Sequence, residues 1–66
     1  MNEDRKEVIR YLVKGGHYDV VARTTRFSSE ERTWTEALIF ARGGQKALER
    51  FRRVVLVDEW TRNQKK

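Results

Sequence analysis

The chain has no cysteine and no proline, a single histidine, four glycines and no long apolar run in its 66 residues. Without cysteine and with one imidazole, neither a disulfide framework nor a zinc site of Cys/His type can be built. A core of this size buries only about 60% of the surface that the unfolded chain exposes, so helix packing or self-association has to stabilise it. No segment approaches the roughly 18 apolar residues of a bilayer span. The chain starts Asn2-Glu3-Asp4 rather than with a charged segment and an apolar stretch. These absences lead us to expect a soluble, unexported protein of the cytoplasm. His17 is the only imidazole, and no nucleophile, base and orienting acid can be grouped around it. The glycine pairs also lack the pattern of a phosphate-binding loop, so we expect no enzyme activity, cofactor or metal.

What is present is positive charge, with 15 Lys and Arg against 10 Asp and Glu, a net of +5. The excess is uneven. Residues 1–42 carry eight basic and seven acidic groups, whereas 43–66 carry seven basic and three acidic. An anionic partner is implied, with its contacts concentrated toward the carboxyl end.

Gly15-Gly16 and Gly43-Gly44 divide the chain into three blocks and read as helix stops. Val8, Ile9, Leu12 and Val13 form a helical stripe, with Glu3 and Asp4 near its start and Lys14 near its end, which predicts a helix over 3–14. Ser28 has Glu31 three residues later, the reciprocal capping-box spacing, and Ser29 is followed at two and three positions by Glu31 and Arg32. Trp34, Ala37, Leu38 and Ala41 then recur at helical intervals, predicting a helix over 29–42 with those four residues inward. Ala47, Leu48, Phe51, Val54 and Val55 predict another from 45 to at least 56, and Thr61 to Lys66 read as a flexible tail. Between the first two helices, Tyr18, Val20, Val21, Thr24, Thr25 and Phe27 favour strand by propensity. The fold expected is an all-α domain of three or four helices, the alternative an α+β domain with a β-hairpin at about 18–40.

Glu7 to Leu12 lead to Gly15; Val21-Ala22 follow six and seven residues on, and Phe27-Ser28 five and six after Ala22. This spacing, over residues 7–38, resembles the helix-turn-helix of response-regulator output domains of the LuxR type and of related recombinases and sigma factors. The resemblance implies that Ala22 is the small residue where helices touch, Phe27 plugs the turn into the core, and Ser28 or Ser29 caps a recognition helix. Arg26 stands at a turn position where the family usually has glycine or an apolar residue. Arg32 stands where an apolar residue is usual, with Trp34 arriving two positions late.

On this reading the protein binds duplex DNA as a transcriptional regulator or accessory factor. Arg32 reads a base edge, and Thr33 and Thr35 share its groove-facing surface with Glu36. Arg23, Thr24, Arg26, Ser28 and Ser29 lie at the turn and cap, where contacts to phosphate fix the register. Lys46, Arg50 and Arg53 fall on one helix face, with Arg52 beside them, and form a ridge that follows the backbone. The apolar run Val54 to Val57, with Trp60, exceeds what one helix face can bury, so Val54, Val57 and Trp60 are assigned to a homodimer interface. The alternative function is a small protein-interaction module, from a phage or mobile element, that modulates a host enzyme or polymerase. A nonspecific RNA or ribosome binder using the ridge alone is the third possibility.

Overall fold

Three helices, α1 (Glu3–Lys14), α2 (Tyr18–Thr24) and α3 (Ser29–Gln64), follow one another in the computed structural model. It describes residues 3–24 and 26–64. Thr25, within the segment read above as helix or strand, and residues 65–66 of the expected tail lie outside the described residues. No strand occurs among the described residues, so the domain is all-α and the hairpin alternative is ruled out.

α1 closes as its glycine pair predicts. The Gly16 amide donates to the Val13 carbonyl (3.0 Å) and the His17 amide to the Leu12 carbonyl (2.9 Å), with Gly16 at φ 80°. This pair of bonds satisfies carbonyls that the last helical turn leaves open. α2 is helical despite its strand-prone composition because it buries Val21 and Ala22, and burial outweighs a propensity of a few tenths of a kcal/mol per residue. Ser28 caps α3: its hydroxyl accepts from the Glu31 amide (3.2 Å), and the Glu31 carboxylate accepts from the Ser28 amide (3.1 Å).

As one straight rod, the 36 residues of α3 would extend about 54 Å at about 1.5 Å per residue. The longest extent of the molecule is 34 Å. The rod is broken at Gly44 (φ 76°, ψ −165°), which divides α3 into an N-terminal arm, 29–43, and a C-terminal arm, 45–64. The arms run antiparallel: Arg52 bonds Glu36 near the turn (3.0 Å), and Arg32 bonds Glu59 at the far end (2.7 Å). Gly43 contributes sterically, since a Cβ there would come within 2.6 Å of the Tyr18 hydroxyl.

α1 lies alongside the N-terminal arm in the same direction. Arg5 reaches Glu31 (2.6 Å) and the Arg26 carbonyl at one end, and Arg42 donates to the Lys14 carbonyl (3.2 Å) at the other. α2 lies on the C-terminal arm, with Asp19 on Arg50 (2.8 Å) and the Arg23 carbonyl accepting from Arg62 (3.3 Å). Ile9, Val13, Val21, Ala22, Ile39, Ala47, Phe51 and Val55 form one buried cluster. Phe27 packs edge-on against Phe51 at 5.6 Å.

Two sequence expectations are corrected. The buried positions of the N-terminal arm are Thr35 and Ile39, whereas Ala37 and Ala41 are exposed and Trp34 and Leu38 half-buried. The inward face is rotated because the C-terminal arm covers the side carrying Arg32 and Glu36. Residues 61–64 are helical, not a loose tail, and Arg62 pairs with Asp58 (3.0 Å) within them.

The torsions at Gly44 are essentially glycine-only. Gly44→Ala should cost about 1–3 kcal/mol, lowering Tm by about 4–8 °C per kcal/mol in so small a domain. Thermal unfolding followed by circular dichroism checks this, and an unchanged Tm would remove the turn from its structural role.

Candidate nucleic-acid interface

The positions that carried the helix-turn-helix resemblance have definite local roles. Ala22 is buried, Phe27 packs on the core, and Ser28 is the cap. The residues assigned to base reading fare differently. The Arg32 guanidinium is held by Glu59 across the two arms. Thr35 is 0% exposed, so its assignment to a groove-facing surface is overturned. Its hydroxyl has no hydrogen-bond partner among the described residues. The outward face of the N-terminal arm carries Glu30, Thr33, Ala37, Phe40 and Ala41, all exposed and none basic.

Thr24 at the end of α2 and Thr33 on the N-terminal arm are exposed but locally bonded. The Thr24 hydroxyl donates to the Val20 carbonyl (2.7 Å), and the Thr33 hydroxyl to the Ser29 carbonyl (3.0 Å). Arg26 and Ser29 are exposed. Glu31 is occupied by the cap and by Arg5, and these bonds hold its carboxyl below the usual carboxylate range, the Ser28 amide contributing most.

The basic ridge is distributed by the packing of α2 on the C-terminal arm. Arg52 turns to Glu36, a carboxylate that raises the Arg52 pKa. Arg50 faces α2 and makes a two-point contact with Asp19, at 2.9 and 2.8 Å. That contact lowers the Asp19 pKa and raises that of Arg50. Lys46 and Arg50 line an open groove of about 460 Å³ with His17, Tyr18 and Asp19. The groove's neighbour along the same seam, about 300 Å³, is lined by Arg23, Arg53, Val57 and Asp58. No protein-family model, curated protein or solved structure matches the chain.

Along this seam the carboxylates Asp19 and Asp58 are held by Arg50 and Arg62. Arg23, Lys46 and Arg53 make no ion pair among the described residues. Arg23 is still close enough to Asp19 to help lower its pKa. The seam thus carries three cations in excess. The sequence marks Lys46, Arg50 and Arg53 by helical spacing, but nothing in it indicates that Arg23 and His17 join them, because α2 reaches this arm only through tertiary packing.

The proposed interface residues divide. Val54 is half-buried against the core, and so is not free surface, while Val57 and Trp60 are exposed. Leu56, which the interface assignment omits, is exposed as well. No described helix is long and apolar enough to cross a membrane.

Thr35→Val removes a buried hydroxyl that has no partner among the described residues and should raise stability by about 1 kcal/mol, read as a higher urea midpoint at unchanged slope; a lower midpoint would show that the hydroxyl is satisfied in solution. Glu31 and Asp19 have folded pKa values below their unfolded ones, so their stabilisation is complete above the unfolded values. It is lost as the pH falls below about 4.3 and through the folded pKa of Glu31. Glu31→Gln should be less stable at neutral pH, with a shallower acid limb in Tm against pH. Superimposable limbs would remove Glu31 from the acid response.

Proposed function

We propose that the protein is a non-catalytic binding module that holds the phosphate backbone of duplex DNA along the seam between α2 and the C-terminal arm of α3. The observation that carries this reading is the excess of Arg23, Lys46 and Arg53 beside carboxylates that Arg50 and Arg62 already neutralise. Cations that make no ion pair among the described residues release counterions on meeting phosphate without first breaking one. Base reading by the N-terminal arm has less support, since Arg32 would first have to leave Glu59 and the arm's other cation, Arg42, donates to the Lys14 carbonyl at its far end. The role is therefore an accessory factor with little sequence preference.

A second reading, a module that binds another protein, is favoured by the exposed apolar side chains of Leu56, Val57 and Trp60.

Anisotropy of a labelled mixed-sequence duplex across a salt series separates these readings. About three phosphate contacts should give a log–log salt slope near −2.7. Lys46→Ala or Arg23→Ala should each reduce its magnitude by about 1, and Arg32→Ala should leave it unchanged. Absence of binding at low salt would refute the nucleic-acid reading. Loss of sequence preference on substituting Arg32 and Thr33 would return recognition to the N-terminal arm.

A further inference from the structure

On the C-terminal arm of α3, the face opposite Phe51 and Val55 carries Arg53, Leu56, Val57 and Trp60, spaced at three and four residues. Leu56, Val57 and Trp60 are 64%, 58% and 64% exposed, an unusual run of large apolar groups for two turns of one helix. At either end of this patch stand a cation and an indole that have no partner among the described residues, Arg53 and Trp60. They are two turns apart, about 10 Å along the axis, too far to stack on one another within the chain. The chain's other indole is differently placed: Lys6 and Arg10 lie over Trp34 at 5.8 and 5.9 Å.

We infer that this face seats a second copy of the chain, the two C-terminal arms crossing as an antiparallel two-fold pair centred between Leu56 and Val57. In that register Leu56 meets Val57 of the second copy, Arg53 meets Trp60 of the second copy, and symmetry repeats both contacts. The pairing of a free cation with a free aromatic face argues for a second copy, because it makes the patch complementary to itself. Two turns of helix cover well under the roughly 800 Å² per partner of a standard interface, so the dimer is weak and concentration-dependent. This inference does not rest on nucleic-acid binding, and its test contains no nucleic acid.

Sedimentation equilibrium from about 10 µM to about 1 mM should show a monomer–dimer transition. Because each cation–aromatic contact occurs twice, Arg53→Ala should weaken it by about 5- to 30-fold. Val57→Glu should abolish it, with helicity unchanged by circular dichroism. Trp60→Arg alone sets cation against cation and should prevent association; adding Arg53→Trp restores the pair with its members exchanged and should recover the dimer. The three substituted positions, 53, 57 and 60, are exposed, so these variants do not disturb the core. A chain that stays monomeric throughout overturns the inference and leaves the patch to a different protein. A dimer that persists in Trp60→Arg, or is not recovered by the double exchange, overturns the proposed register.

Discussion

The backward fold of α3 at Gly44 is the constraint on which the rest of the molecule depends. A continuous helix would present Ile39 and Phe51 to solvent on a long rod. The left-handed φ at one residue instead lays the two arms together and forms a core that α1 and α2 complete. The chain has no cysteine or proline to share that task. The ion pairs between the arms, Arg32 with Glu59 and Arg52 with Glu36, fix their register but lie at the surface. Such pairs add only about 0–1 kcal/mol each. The turn and the apolar cluster dominate the energetics.

The same packing decides which charges remain available. An arginine beside a neighbouring carboxylate loses its claim on a polyanion, and the fold places Arg32, Arg52 and Arg62 in that position. Of the cations that make no ion pair among the described residues, Arg23, Lys46 and Arg53 lie where α2 meets the C-terminal arm, and Arg10, Lys14, Arg26 and Arg42 lie outside that seam. The electrostatic surface is therefore set by tertiary pairing, and the basic count of the chain overstates what a partner encounters.

Much of the fold was legible in the sequence because its signals are local. The glycine pairs and the Ser28–Glu31 box act within a few residues of backbone, and both operate as their spacing suggests. The strand-prone composition of α2 misleads because its burial against distant residues overrides propensity. The inward face of the N-terminal arm was misjudged through Thr35, a polar residue held at the centre of the fold by the covering arm. Arg32 and Glu59 lie 27 positions apart, so no local pattern could reveal that the residue best suited to a guanine edge is already engaged. The last helix continues past Asp58 and Glu59, and two arginines hold these carboxylates.

The hairpin also sorts charge along the length of the molecule. Its turn gathers the end of α1, the start of α2 and the start of the C-terminal arm, bringing Lys14, Arg42 and Lys46 to one pole with His17. The opposite pole holds Glu31, Asp58 and Glu59, each against an arginine, with Glu3, Asp4 and Glu30 on the first turns of α1 and α3. Arg5, Arg32 and Arg62 neutralise Glu31, Glu59 and Asp58 at that pole, whereas Lys14, Arg42 and Lys46 at the turn make no ion pair among the described residues.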